Sequence, residues 1–229
     1  MNQLVRRLKK NSKKKIHLIA YSSPQSPITE QYRLIRSNIH FSSGDKEIKS
    51  IVITSPKTSD GKTTTASNLA IVLAQKGKRV LLVDADLRKP SVHYAFNISN
   101  IQGLTNVLEK KIPLNQAISK TPISNLTILT SGNIPTAPSE LLDSKAMELI
   151  MEEMKEMYDY VLFDTPSVLE VTDAQIIANK SDGIVMVVAS AKTPKEEAVK
   201  AKNLLIKTKA QLLGIVVNEL KSTQSRYYY

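Results

Sequence analysis

Short hydrophobic runs alternate with segments of helical periodicity along most of the chain. The uninterrupted apolar runs are typical of strands buried on both faces, and they lie at residues 50–54, 79–84, 159–164, 183–189 and 212–217, with a shorter one at 126–130. Between them, apolar residues recur at helical spacing, most clearly over 139–157. This alternation predicts an α/β fold in which helices cover both faces of a mostly parallel sheet and the ligand binds at the carboxyl ends of the strands.

The segment after the first strand has the composition of a phosphate-binding loop. A helix begins there, and amide groups at a helix start are unpaired and attract anions. Lys62 and the hydroxyl of Thr63 lie within reach of a phosphate and its Mg²⁺. The strand at 79–84 completes a βαβ unit. We expect nucleotide contacts from Ser59, Asp60, Gly61, Lys62, Thr63 and Thr64.

This loop departs from the usual G-x-x-x-x-G-K-[ST] pattern. Pro56 occupies the first glycine position, and Ser59 stands where a further glycine would be comfortable. Both residues must accept the loop geometry without the freedom of glycine at positive φ. A basic surface turn is therefore the alternative interpretation of Gly61-Lys62-Thr63 taken alone.

Three aspartates follow predicted strands at the edge where the loop lies. Asp84 and Asp86 fall at the carboxyl end of the strand at 79–84, and Asp164 falls at the same end of the strand at 159–164. Mg²⁺ prefers oxygen ligands, so Thr63, Asp86 and Asp164 form the expected metal set. Asp84 is then the first choice for the base that activates an incoming nucleophile, with Lys62 stabilising the transferred phosphoryl group. The two paired aspartates could exchange these roles.

Composition limits the classes of function. The chain has 229 residues, enough for one substantial core, no cysteine, and a formal net charge of +11. Seven basic residues fall within the first fifteen positions, in a segment without an apolar face. That arm is interpreted as a solvated extension or as a segment attracted to an anionic membrane or an acidic partner. Aromatic residues are only 5% of the chain and no nucleic-acid-binding motif occurs, which disfavours specific nucleic-acid binding.

The expected organisation has three parts. A flexible basic arm occupies residues 1–23, a domain with an initial helix over 24–43 occupies 24–220, and a tail occupies 221–229. No apolar run approaches the length of a membrane span and no signal-peptide core is present. We therefore expect a soluble cytoplasmic protein.

Five separated motifs resemble the bacterial tyrosine kinases that accompany capsule and exopolysaccharide synthesis. The resemblance covers roughly residues 24 to 229. Its motifs are the acidic segment 80–90, the segment 161–166, the helix 30–38, the segment 131–142 and Thr172-Asp-Ala-Gln175. The resemblance implies a P-loop NTPase-like fold related to partitioning ATPases. It also implies ATP and Mg²⁺ as cofactors and transfer of phosphate to tyrosines of the kinase and of other proteins.

The same resemblance implies roles and partners. Lys62 matches the phosphate-binding lysine, and Glu30, Arg33 and Arg36 match the helix through which these kinases form ring-shaped homo-oligomers. A solvated helix face is the alternative for that helix. Implied partners are a membrane-anchored activator that recruits the kinase to the inner face of the membrane, protein substrates with tyrosines, and a cognate phosphatase.

The chain ends in Tyr227, Tyr228 and Tyr229, where no core could bury the rings. They resemble the tyrosine cluster that these kinases autophosphorylate.

Two rival hypotheses remain. The first is a partitioning or cell-division ATPase switch, which Lys57 favours because it lies five residues before Lys62. The second is a catalytically weak scaffold that binds nucleotide only to assemble an export machine.

Overall fold

A computed structural model describes residues 16–42, 44, 46–190 and 192–220. Its seven strands form one sheet in the order β3-β4-β2-β5-β1-β6-β7. All neighbouring strands are parallel except β3 and β4, which are antiparallel. The strands are β1 (Ser50–Thr54), β2 (Val80–Asp84), β3 (Ile118–Lys120), β4 (Leu126–Leu129), β5 (Tyr160–Asp164), β6 (Gly183–Ala189) and β7 (Gln211–Asn218). The predicted α/β fold is confirmed.

Helices connect the strands and cover both faces of the sheet. They are α1 (Ile19–Ser22), α2 (Pro27–Ser42), α3 (Lys62–Ala74), α4 (Val92–Phe96), α5 (Leu104–Leu108), α6 (Leu114–Ala117), α7 (Pro138–Asp143), α8 (Lys145–Met157), α9 (Asp173–Ala178) and α10 (Lys195–Leu205). In the described part of the chain, no helix is both long and apolar enough to cross a bilayer.

Each face of the sheet carries its own hydrophobic core. Side chains of β1 alternate between the two, so that Ile51 and Ile53 pack with α3 while Val52 packs on the opposite face. On that opposite face, α8 contributes the buried Met147, Met151 and Met154. Helix α3 has eleven buried residues out of thirteen, because α1 and α2 cover its outer side. The start of this helix is therefore held firmly against the sheet.

The amino-terminal segment is ordered earlier than the sequence suggested. Residues 19–22, which we assigned to the basic arm, form α1, and Ala20 is completely buried. The Ala20 amide donates to Asn68 Oδ1 at 2.9 Å, and Gln75 donates to the Ala20 carbonyl at 2.9 Å. The prediction of a flexible arm is therefore wrong for residues 19–22. Residues 1–15 lie outside the described chain.

The strand register brings the site together. Asp84 lies opposite Asp164 in the β2–β5 pair, and Ile53 lies opposite Asp164 in the β1–β5 pair. The carboxyl ends of these three strands therefore meet at one edge, next to the loop that leaves β1.

Asp182 fixes the other end of β1. Its Oδ2 accepts hydrogen bonds from the Lys49 amide at 3.0 Å, the Ser50 amide at 2.8 Å and the Ser50 hydroxyl at 2.8 Å.

We expect Asp182→Ala to lower the free energy of unfolding by about 2 kcal/mol, since two amides lose a charged acceptor. Equilibrium urea unfolding measures this. Glu47→Ala is the matched control, because the exposed Glu47–Lys49 ion pair contributes little; an equal loss in both variants would contradict the assignment.

Candidate active site

The loop between β1 and α3 is wound around two residues with positive φ. Ser59 has φ 72° and Gly61 has φ 97°, so the serine adopts the left-handed conformation that a glycine would take at lower cost. Lys62 then opens α3 and directs the helix start toward the sheet edge. The departure from the glycine-rich pattern is therefore accommodated by local strain at Ser59.

Two distant segments clamp this loop. Asn218, at the end of β7, donates to the Asp60 carbonyl at 3.0 Å. The buried carboxylate of Asp60 accepts from the Lys57 amide at 3.0 Å and from the Thr193 hydroxyl at 2.7 Å. We did not anticipate Asn218 or Thr193 from the sequence, although a polar residue at the carboxyl end of a predicted strand was a usable signal for Asn218.

Thr63 and Asp164 meet at the bottom of the site. The Thr63 hydroxyl donates to Asp164 Oδ2 at 2.6 Å and lies 2.9 Å from the Ser91 hydroxyl. The second oxygen of Asp164, Oδ1, is buried without a hydrogen-bond partner. Burial raises the pKa of Asp164 to about 7, although the Thr63 hydrogen bond and the Lys62 charge oppose the rise. A buried carboxylate oxygen without a partner suits a cation.

Thr63 and Asp164 are the residues of this site whose oxygens could hold a cation. Among the described residues, no group of three or more His, Cys, Asp or Glu side chains is arranged to hold a metal ion. Mg²⁺ is commonly held by one or two protein oxygens together with substrate phosphates and water. The Thr63 hydroxyl and the free Asp164 oxygen fit that mode of binding.

The paired aspartates differ sharply in exposure. Asp84 is completely buried, and its Oδ2 accepts from the amides of Ser91 and Val92, each at 2.9 Å. Burial first, and the Asp164 carboxylate second, raise the pKa of Asp84 well above its ordinary value. Asp86 is only partly buried and lines the cavity of the phosphate loop, while its Oδ1 accepts from the Lys89 amide at 2.9 Å. The geometry thus makes Asp86 the accessible carboxylate of the pair.

Lys62 completes the arrangement. Its side chain is 9% exposed, and Nζ lies 3.4 Å from the Ser167 hydroxyl in the segment after β5. The surrounding cavity holds about 410 Å³. The predicted residues that line it are Ser59, Gly61, Lys62, Thr63, Thr64 and Asp86. Sequence reasoning missed Ser91 in this lining, although it directly follows the recognised acidic segment.

Other predicted residues lie away from the cavity or outside the described chain. In α2, Arg33 pairs with Glu30 of the same chain, and Arg36 donates to the Val72 carbonyl at 2.7 Å. Lys57 forms an ion pair with Glu197 of α10, with Nζ 2.7 Å from Oε2. Tyr227, Tyr228 and Tyr229 lie outside the described residues.

Comparison with known proteins decides the family. A family model described as an AAA domain matches residues 48–212. The chain is 51% identical to tyrosine-protein kinase YwqD of Bacillus subtilis over 97% of this chain and 95% of the relative. It is 41% identical to the putative tyrosine-protein kinase CapB of Staphylococcus aureus over 93% of each chain. The chain belongs to the bacterial tyrosine kinases of capsule and exopolysaccharide synthesis. The resemblance inferred from its motifs is confirmed.

Solved structures place this bacterial tyrosine kinase among P-loop ATPases. The chimerical protein CapA2B2 matches with a TM-score of 0.86 and 44% identity, covering 89% of both chains. The septum site-determining protein MinD of Pyrococcus horikoshii, complexed with Mg-ADP, matches with a TM-score of 0.64 and 26% identity over 74% of this chain and 69% of that one. The tyrosine kinase therefore shares its fold with MinD-type P-loop ATPases.

We expect Gly61→Ala to abolish tight nucleotide binding. A Cβ at this position would lie 2.1 Å from Asn218 Nδ2, and φ is +97°, so the loop and its clamp must separate. Titration with a fluorescent ADP analogue should show affinity lowered by at least about tenfold. Gly77→Ala is the matched control, since its φ is +83° but nothing lies within 4 Å; it should lose stability and keep its affinity. Equal affinity in both variants would refute the clamp.

We also expect the nucleotide-free and Mg²⁺-free kinase to become less stable as pH rises from about 4 to about 7. The folded pKa of Asp164 is raised from 3.8 to about 7, so the folded state binds more protons than the unfolded state in this window. Asp84 shifts in the same direction. In urea unfolding across this range, Asp164→Asn should weaken the pH dependence, and an unchanged slope would argue against a neutral Asp164 in the free protein.

Proposed function

We propose that this kinase transfers the γ-phosphoryl group of Mg·ATP to tyrosines of its own C-terminal cluster and of other proteins. The observation that carries the proposal is that Lys62, Thr63 and Asp86 line one cavity, while the buried Asp164 accepts a hydrogen bond from Thr63. These groups supply positive charge, a proton acceptor and a cation site, which are the parts that phosphoryl transfer requires.

The geometry supports the following proposed roles. When bound, Mg²⁺ held by Thr63 and Asp164 would neutralise negative charge on the phosphates. Lys62 contacts the phosphate oxygens from the helix start, and the strained loop supplies amides. The phenol oxygen forms a bond to the γ-phosphorus while the bond to the bridging oxygen of ADP breaks. The phenol proton passes to Asp86.

This assignment moves the role of base from Asp84, where we first expected it, to Asp86, and it gives Asp84 a structural role instead of a metal-binding one. Asp84 accepts the amides of Ser91 and Val92 and is completely buried, which suits a residue that shapes the loop after β2. Asp86 lines the cavity, so it can reach an incoming phenol. Asp86 therefore serves better as the base, with the metal held mainly by Thr63 and Asp164.

Autophosphorylation between subunits agrees with where the described chain ends. Glu219, which immediately precedes the last described residue, lines the nucleotide cavity. In a ring, Glu30 and Arg33 would exchange their present pairing within one chain for partners on the next subunit, and Arg36 would reinforce that contact. Phosphorylation adds negative charge that would weaken packing between subunits.

A membrane-anchored activator is the proposed partner. The structural relative CapA2B2 is described as chimerical, which is consistent with a kinase that works joined to a second protein. We propose that this kinase is cytoplasmic and is recruited to the inner membrane face by such an activator, with the basic residues of the arm contributing. A cognate phosphatase would reset the tyrosine cluster.

An ATPase switch is the second candidate function. The likeness to MinD and the position of Lys57 favour it. In this structure, however, the Lys57 ammonium is held by Glu197 of the same chain at 2.7 Å. Reaching a partner's nucleotide would require that ion pair to break.

The test is to isolate the kinase from its own cells with bound partners and to incubate it with radiolabelled Mg·ATP. We expect label on tyrosine, mapped by mass spectrometry to residues 227–229. Lys62→Met and Asp86→Asn should each reduce this label by at least about 100-fold, and Asp86→Asn should still bind ADP. Release of free phosphate without labelled tyrosine would establish the ATPase switch instead. If neither labelled tyrosine nor free phosphate formed, the hypothesis of a catalytically weak scaffold would remain.

A further inference from the structure

A second, larger cleft adjoins the nucleotide cavity. It holds about 1180 Å³, and it shares Ile16, Lys89 and Ser91 with the nucleotide cavity. The shared wall is the segment that carries Asp86, since the Lys89 amide donates to Asp86 Oδ1 at 2.9 Å. The cleft therefore lies next to the segment that holds the proposed base, although Asp86 itself lines only the nucleotide cavity.

One wall of the cleft is fixed by an ion pair between the partly exposed Arg88 and the buried Asp173. Arg88 donates from Nε to Asp173 Oδ2 at 2.8 Å and from a terminal nitrogen to Oδ1 at 3.1 Å. Ser139 donates to the same carboxylate at 2.7 Å. The Asp173 side chain is completely buried. Bidentate pairs of this kind give strong geometric definition, so the segment 88–91 has one position relative to α7 and α9.

The facing wall is fixed by Asn100. Its side chain donates to the Gly132 carbonyl at 3.0 Å and accepts from the Gly132 amide at 3.0 Å. Gly103 packs so closely on this segment that a Cβ would lie 2.2 Å from the Thr130 carbonyl oxygen. Ile134 lies two residues after Gly132 and lines the cleft, with 65% of its surface exposed. The cleft is thus preformed, which lowers the cost of binding.

The lining combines apolar surface with positive charge. Pro90, Tyr94, Ala95 and Ile134 offer apolar contacts. Of the described residues that line the cleft, none is acidic, whereas Arg88 and Lys89 are basic. Asp173 neutralises most of the Arg88 charge, so exposed Lys89 carries most of the attraction. Such a surface favours an aromatic side chain with acidic neighbours.

We infer that this cleft is the acceptor site for protein substrates and binds an extended segment that presents a tyrosine to Asp86 between acidic residues. This inference rests on the proposed kinase mechanism. The chain's own tail fits the charge less well, since residues 221–229 include Lys221 and Arg226 and no acidic residue. The acceptor that the cleft selects is therefore an acidic segment of a different protein.

The experiment compares two synthetic peptides, each with one tyrosine, flanked by glutamates in one and by lysines in the other. With the partner-bound kinase and Mg·ATP, kcat/KM should be at least about tenfold higher for the acidic peptide. Ile134→Glu places a negative charge in the cleft and should reduce kcat/KM for the acidic peptide by at least about tenfold, mainly through KM. Ile101→Glu is the matched control, because Ile101 is 74% exposed and does not line the cleft; it should stay within about twofold.

The outcomes separate the two hypotheses. If the wild-type kinase labels no tyrosine in either peptide or in its own tail, the kinase mechanism itself fails. If it labels tyrosine but treats both peptides alike, or if Ile134→Glu behaves as Ile101→Glu does, the acceptor cleft is wrong. ADP affinity is measured for both variants. A loss of affinity confined to Ile134→Glu would attribute its defect to the nucleotide loop and would also overturn the inference.

Discussion

The burial of two carboxylates side by side, Asp84 and Asp164, is the constraint on which the rest of the site depends. The register of β2 and β5 places them opposite each other, and both are almost completely removed from solvent. Burying charged groups is costly unless donors or cations compensate. The compensation comes from the Thr63 hydroxyl and from the amides of Ser91 and Val92. These contacts tie the start of α3 and the turn after β2 to the sheet.

The same constraint divides the work among the aspartates. Asp84 uses its oxygens within the protein, so it shapes the loop that carries Asp86. Asp164 satisfies only one oxygen and leaves the other buried without a partner. A free oxygen of this kind raises the energy of the nucleotide-free state and favours a bound cation. In the proposed mechanism, binding of a metal nucleotide would relieve an electrostatic cost that the fold itself creates.

Local patterns predicted the features that depend on neighbouring residues. The apolar runs predicted the buried parallel sheet, because a strand covered on both faces must be apolar throughout. The strand-end positions of Asp84, Asp86 and Asp164 predicted their convergence, since parallel strands end at one edge. What the sequence could not provide were contacts between distant segments. Asn218 reaches Asp60 across 158 positions, and Arg88 reaches Asp173 across 85.

Local composition also misled in one segment. Residues 19–22 adjoin a strongly basic stretch, which suggested a solvated arm. In the structure Asn68 and Gln75 of the α3 region bind the backbone of Ala20, so tertiary contacts order a helix too short to be stable alone. The sequence likewise left open the roles of Asp84 and Asp86. Residues two apart in a strand point to the same side, but this spacing does not show which of the two carboxylates is accessible to solvent.

In the proposed mechanism, access to Asp86 distinguishes a kinase from an ATPase on this fold. Both activities need the same lysine, hydroxyl and buried carboxylate, so those groups cannot explain why a phenol rather than water attacks. Water needs only a small opening, whereas a tyrosine on a polypeptide needs a wide, walled approach that ends at the base. The cleft between the Arg88–Asp173 pair and the Asn100–Gly132 contact has that form. Its rigidity restricts which segments can enter, and its charge decides among them. In this view the chemistry of the family resides in the phosphate loop, while the choice of acceptor resides in the segments that follow β2 and β4.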